Sequence, residues 1–333
     1  MTAVTVIGDG QMGLVLADAL VCRGLEVRVW GPFVESVNSL EISRKSTRLP
    51  DFILNENVLV TADRARALDG VDVAINAIPT QFIQTTWESL SPFVPECIPI
   101  GCVAKGIEIK SNLLPSQIIE GILGDQHATC VLSGPTIATE LARQRPAAMV
   151  SSSSNPEVAA MMQDLFDVPW LRIYTHGDPL GVELSGALKN VIALAAGICD
   201  GMQLGDNAKS AMLARGLAEI SRLGVAMGAQ LETFFGIAGV GDLATTCFSP
   251  HGRNRTCGER LGNGEALEMV IETMGSVVEG VPTTKAVKSL SEFYEVEMPI
   301  SSMMYRVLFE NLPIQNAILA LMNRDLRAEQ LGS

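Results

Sequence analysis

The sequence predicts a two-domain α/β chain: a doubly wound, mainly parallel sheet over residues 1–178, then an all-α domain over 179–333. Three observations predict it. Up to Tyr174, short β-branched runs alternate with amphipathic stretches long enough for crossover helices, the pattern of a parallel sheet covered on both faces. Beyond Asp178-Pro179 the strand signals fade and apolar residues recur at helical spacing. Hydrophobic residues make up 47% of the 333 and charged ones 18%, which is enough for two packed cores and too apolar for a disordered chain.

Taken in order, strands are expected at 4–7, 25–30, 58–61, 71–78, 98–103, 129–132, 147–151 and 171–174. A helix is expected over 11–23, stopped by Gly24. The polar run Ser151–Ser154 leads into Asn155 as N-cap, with Pro156 at the first helical position. Helices follow at 180–200, 207–227, 267–274, 283–294, 301–310 and 313–322. The stretch 236–264 reads as one long irregular loop, which inside a compact domain more often serves function than not.

The net charge of −13 argues against a phosphate backbone or an anionic membrane as a general partner, so an anionic substrate needs a local basic pocket. No apolar run is expected to reach the length of a membrane span. The chain enters its first strand at Ala3 with no basic leader region, which predicts a cytoplasmic protein. Seven scattered cysteines read as reduced core thiols, and three histidines without CxxC or HxxxH spacing predict no metal site. The chemistry is expected to belong to an organic cofactor.

Gly8-Asp9-Gly10-Gln11-Met12-Gly13 supplies the reason. This G-x-G-x-x-G follows a strand and opens a helix, the context that makes it a dinucleotide fingerprint of a Rossmann-type domain. Gly8 permits the tight turn, Gly10 admits a pyrophosphate, and Gly13 lets helix and sheet approach. The helix start adds N–H groups and the positive end of its dipole. The cofactor is therefore NAD or NADP. An NAD site normally adds Asp or Glu at the end of the second strand. Here that turn is Trp30-Gly31-Pro32-Phe33, without acid or base, and Arg44, Lys45 and Arg48 come later. The choice of dinucleotide stays open on these residues.

Further clusters stand at junctions of elements. Lys105 follows an apolar strand; Gly134 and Thr136 open another strand-to-helix turn, with Ala138 next. Lys189 interrupts the apolar helix 181–191, reading either as a snorkelling surface lysine or as a buried amine that is paired or used. Gly239-Val240-Gly241-Asp242 precedes Gly252-Arg253-Asn254-Arg255, where two arginines suit a tetrahedral or planar anion unless the loop is simply solvated.

Together these segments resemble the bacterial-type NAD(P)-dependent glycerol-3-phosphate dehydrogenases over nearly the whole chain. The most specific parts are 181–200 with Lys189-Asn190, the run Leu204–Lys209 leading to Arg215–Glu219, and Gly239–Leu243 with Arg253-Asn254. The resemblance implies reversible reduction of dihydroxyacetone phosphate, a phosphorylated triose, to sn-glycerol 3-phosphate for phospholipid synthesis. It implies Lys189 as proton donor and acceptor, and Lys105, Gly134, Thr136, Lys189, Asp242, Gly252, Arg253 and Asn254 around the substrate. Gly8, Gly10, Gln11, Met12, Gly13, Lys105, Ala138, Arg253, Val277 and Glu279 are implied to touch the dinucleotide, in a family that often assembles as homodimers. Three positions depart from the family pattern: Met12 replaces an aromatic residue, Pro32-Phe33 a turn with a basic residue, and Gly252 a serine. A dehydrogenase for 3-hydroxy acids or a sugar-phosphate acid, and a dinucleotide sensor without turnover, are the competing readings.

Overall fold

The computed structural model describes residues 2–325 and 329; the expected second domain's last residues, 326–328 and 330–333, lie outside the described residues. The chain divides into two compact units, 1–104 with 115–179, and 105–114 with 180–333. Residues 105–114, part of the first domain by sequence order, thus belong to the second unit.

The first unit is built on a sheet of eight strands: β1 (Ala3–Ile7), β2 (Glu26–Trp30), β5 (Leu59–Thr61), β6 (Val73–Asn76), β7 (Ile100–Cys102), β8 (Thr129–Ser133), β9 (Ala147–Ser152) and β10 (Leu171–His176). Their spatial order is β10-β9-β8-β7-β6-β1-β2-β5. Only β8 and β9 pair antiparallel, so the expected mainly parallel sheet is present. Strand β1 lies between β2 and β6, with Ile7 opposite Trp30 on one side and Asn76 on the other. The chain goes one way from β1 and returns to its other side at β6, which makes the carboxyl end of β1 a switch point where such sheets bind ligands.

Both faces of the sheet are covered because alternate residues of each strand are apolar toward opposite sides. Val4, Val6, Val27 and Val29 join Leu14, Leu16 and Leu20 of α1 (Gln11–Cys22) in one core. Ala3, Ile7 and Trp30 join Ile83, Trp87 and Leu90 of α4 (Ile83–Leu90) in another. The remaining helices of this unit are α2 (Val34–Ser43), α3 (Arg64–Leu68), α5 (Pro115–Leu123), α6 (Ala138–Leu141) and α7 (Pro156–Leu165). Asn155 caps α7 as expected, its side chain accepting from Glu157 N–H at 3.0 Å. A two-stranded antiparallel hairpin, β3 (Lys45–Ser46) with β4 (Leu49–Ile53), stands outside the expected elements.

The second unit contains helices and no strand among the described residues. Its axis is α8 (Pro179–Gly201), surrounded by α9 (Gly205–Ala226), α10 (Asp242–Phe248), α11 (Arg253–Gly262), α12 (Leu267–Met274), α13 (Gly280–Phe293), α14 (Pro299–Phe309) and α15 (Ile314–Met322). Every residue of α8 from Gly181 to Ile198 is buried. That corrects the expectation that no apolar run reaches membrane-span length: α8 does, with mean hydropathy 1.4 over an 18-residue window, and the window is 100% buried. A helix apolar all round is what the centre of a helical domain requires. Ile107 and Leu114 pack into this core beside Leu184, Leu188 and Val191, which ties the 105–114 segment to it.

The stretch 236–264 is a second correction. It is largely helical: a π-helical turn over Ile237–Gly241 runs into α10, and α11 follows after a short break.

Candidate active site

In the first unit the glycine fingerprint closes the switch point. Gly8 has φ +126°, the left-handed region that glycine alone enters freely, and a Cβ there would lie 2.8 Å from the Ala77 carbonyl oxygen. A Cβ on Gly13 would strike the Gly8 carbonyl, so helix α1 meets the strand end only because residue 13 lacks a side chain. Gly10 differs. Nothing in the protein lies within 4 Å of a Cβ built there, and no side chain caps α1. Packing does not require glycine at that position, whereas a pyrophosphate drawn onto the helix start would. The residues present therefore fit a dinucleotide.

Gln11 and Met12 occupy the first turn of α1; the Gln11 amide donates to the Arg48 carbonyl, which lays the hairpin loop beside the helix start. Gly134 follows β8 with φ +153° and Thr136 donates to its carbonyl at 3.1 Å. Ala138 begins α6.

In the second unit, two lysines meet one carboxylate. Lys189 Nζ stands 2.5 Å from Asp242 Oδ1, and Lys105 Nζ 2.7 Å from Oδ2. Lys189 also donates to Thr246 Oγ1 at 2.6 Å, and that hydroxyl donates onward to the Asp242 carbonyl at 2.8 Å. Side-chain exposure is 6% for Lys189 and 3% for Asp242, which decides between the two readings of Lys189: it is a buried amine. Burial pulls its pKa down to about 8 from an ordinary 10.5; Asp242 opposes that and Lys105 adds to it.

This geometry follows from local sequence. Asp242 and Thr246 are four residues apart on α10, so they share a face. Lys189 and Asn190 are adjacent on α8. The Asn190 amide donates to the Lys105 carbonyl at 2.9 Å, which fixes the backbone that carries the second lysine. Asn254 Nδ2 donates to Asn190 Oδ1 at 2.9 Å, and Gly280 N–H donates to Asn254 Oδ1 at 2.9 Å. This chain of amides links α8, α11 and α13.

The helix α11 owes its position to contact between backbones. A Cβ on Gly258 would collide with the Leu194 carbonyl of α8, and one on Gly197 with the Arg255 carbonyl. Gly252 is the N-cap of α11 without a capping side chain, so Arg253 and Asn254 begin a helix rather than sit in the loop expected for them. Arg253 is exposed and its Nη1 donates to the Val277 carbonyl at 3.3 Å; Glu279 immediately precedes α13. The structure thus brings Lys105, Lys189, Asp242 and Asn254 into one hydrogen-bonded neighbourhood and leaves Arg253 at its exposed end. Thr246 and Asn190 were not among the expected site residues. The i, i+4 spacing of Asp242 and Thr246 was the available signal, hidden by reading 236–264 as irregular.

Comparison with known proteins decides the family. Residues 3–159 match the family model described as NAD-dependent glycerol-3-phosphate dehydrogenase N-terminus, and 178–319 match the corresponding C-terminus. The chain is 44% identical over 327 residues to glycerol-3-phosphate dehydrogenase (NAD(P)+) of Bacillus pumilus, covering 97% of this chain and 95% of that one. This chain belongs to the NAD(P)-dependent glycerol-3-phosphate dehydrogenase family. Another relative, from Clostridium perfringens, is 41% identical over 332 residues, 99% of this chain and 100% of its own. Among solved structures, glycerol-3-phosphate dehydrogenase of Coxiella burnetii superposes with a TM-score of 0.93 at 31% identity, covering 97% of this chain and 99% of that one. As a member of this dehydrogenase family the chain is an oxidoreductase that uses NAD or NADP, on a Rossmann-type sheet with a helical C-terminal region.

Proposed function

We propose that this enzyme interconverts dihydroxyacetone phosphate and sn-glycerol 3-phosphate in the cytoplasm, supplying the phospholipid backbone, with Lys189 moving the proton. The buried Lys189, held by Asp242 and Thr246 with its pKa brought to about 8, is the observation that carries this reading.

A dinucleotide held at the glycine loop would supply or take up the hydride. Reduction of a ketone builds negative charge on its oxygen, and a protonated Lys189 Nζ delivers a proton there; in the reverse direction the neutral amine takes the proton from the alcohol. A lysine at its ordinary pKa holds its proton too tightly for the second task near neutrality. Burial loosens it. Asp242 orients both ammonium groups and balances the charge of the buried Lys189 and the part-buried Lys105.

The phosphate is read at the start of α11. That helix has ten residues, no side-chain cap at Gly252, and Arg253 in its first turn, so first-turn backbone N–H groups and an arginine stand at the positive end of the helix dipole. Gly252 carries no hydroxyl, leaving the backbone and Arg253 to do this.

The test is turnover of Lys189→Met followed by nicotinamide absorbance with both dinucleotides, alongside a direct NADH titration. Loss of about 10²–10⁴-fold in kcat with NADH affinity retained is expected. Near-normal turnover would overturn the assignment.

A further inference from the structure

The turn after β2 carries no acid of its own, yet a carboxylate reaches it from the glycine loop. Gly31 directly follows β2, the place where doubly wound sheets put the acid that binds the adenosine ribose. A Cβ built on Gly31 would stand 2.9 Å from Asp9 Cγ and 3.1 Å from its Oδ2. Asp9 is the second residue of the fingerprint. Its side chain, together with that of Val37, whose Cγ2 would stand 2.8 Å from the same Cβ, fills the space that the side chain of residue 31 leaves empty.

The carboxylate is held there. Ser36, in the first turn of α2, donates its hydroxyl to Asp9 Oδ2 at 3.0 Å. Asp9 is 8% exposed and has no ion-pair partner among the described residues. A buried carboxylate with one hydroxyl for company is costly unless something else donates to it. It stands one residue from Gly10, whose absent side chain opens onto space.

We propose that Asp9 reads the adenosine ribose and makes this enzyme prefer NAD(H) to NADP(H), a proposal that rests on the glycine loop being the dinucleotide cradle. An ionised carboxylate only accepts hydrogen bonds, and a vicinal 2′,3′-diol offers two O–H donors. A 2′-phosphate offers acceptors and about −1.5 to −2 charge, so the same carboxylate repels it. The bases that could offset this repulsion are otherwise engaged or lie elsewhere on the hairpin. Arg28 bonds Glu26 and the carbonyls of Arg66 and Asp69, and Arg44 bonds the Val58 carbonyl. Arg48 lends its backbone carbonyl to Gln11 and exposes its side chain, which makes it the base that a 2′-phosphate would have to recruit.

Calorimetric titration of the full-length enzyme with NADH and with NADPH, without substrate, tests this independently of turnover. The wild type is expected to bind NADH at least about tenfold more tightly, and Asp9→Asn, which keeps the shape and a partner for Ser36, to narrow that ratio by roughly tenfold from both sides. Ser36→Ala leaves the charge in place and is expected to weaken NADH while NADPH stays weak. Arg48→Ala is expected to leave the preference standing. Equal affinities in the wild type, a preference that Asp9→Asn leaves unchanged, or an NADPH preference that Arg48→Ala removes would each overturn the role of Asp9. A wild type that binds neither dinucleotide would overturn the cradle itself, and with it this proposal.

Discussion

Lys189 and Asp242 form an ion pair withdrawn from water, Nζ to Oδ1 at 2.5 Å with side chains 6% and 3% exposed, and a second lysine, Lys105, takes the other carboxylate oxygen. Two cations on one anion mean that neither lysine is fully neutralised by it. Burial outweighs the attraction of Asp242 for Lys189, so the amine gives up its proton more readily than an exposed lysine.

The two directions of the reaction should therefore respond to pH in opposite ways. With Lys189 near pKa 8, the protonated donor predominates below that value and the neutral acceptor above it. Ketone reduction should fall as pH rises through about 8, and alcohol oxidation should rise through the same range. Profiles of kcat/KM in both directions check this. Two profiles that are flat across that interval would remove Lys189 from the proton transfer.

Asp242→Asn should do two things at once. Removing the anion that holds Lys189 protonated moves the limb of both pH profiles to lower pH. It also leaves two buried or half-buried ammonium groups without their carboxylate, which should cost about 3–5 kcal/mol of stability. Denaturant unfolding of the variant measures the second effect. A limb that moves upward would show that Asp242 is not the partner that matters.

The glycine fingerprint and all eight strands of the main sheet were legible in the sequence, the inner ones because strands buried on both faces appear as continuous apolar runs and the edge strand β10 because its residues alternate. The β3–β4 hairpin was not: Lys45-Ser46 is too short, and Pro50 and Asp51 interrupt the second strand. Glycines at 236, 239, 241 and 252 with Pro250 broke the periodicity that would have announced α10 and α11. Those two helices carry Asp242, Thr246, Arg253 and Asn254. Residue types at the site could thus be picked out while their arrangement could not. The burial of Lys189 was equally hidden, since α8 is apolar on every side and the deciding partner lies 53 residues further on.

Glu219 is another buried carboxyl group, in a structural role. Its carboxylate accepts from the Ile300 N–H at 2.6 Å, the Ser301 N–H at 3.1 Å and the Ser301 hydroxyl at 3.2 Å, capping the start of α14 from α9. Burial pushes its pKa up from 4.5 to about 7, against those donors, which pull it down. A folded pKa above the unfolded one means the folded state holds the proton more tightly. The stability it contributes is present below about pH 4.5 and is lost as pH rises through about 7. Unfolding free energies measured across that window should decline in the wild type and lose this component in Glu219→Gln. An unaltered slope in the variant would place the pH dependence elsewhere.

Gly258→Ala tests whether the α8–α11 contact sets the site. In an open helix the change would be favourable by up to about 1 kcal/mol. Here the new methyl would meet the Leu194 carbonyl and come within 3.1 Å of Gly197 Cα, backbone that cannot rotate away. Helix α11 must then shift, and with it Arg253 and the 2.9 Å bond from Asn254 to Asn190. A loss of about 1–3 kcal/mol is expected, with a raised KM for the phosphorylated ketone. Gly121→Ala, in α5 with nothing within 4 Å of the added Cβ, is the control and should be neutral or stabilising. If the two variants melt alike, the close approach of α8 and α11 does not determine where Arg253 and Asn254 stand.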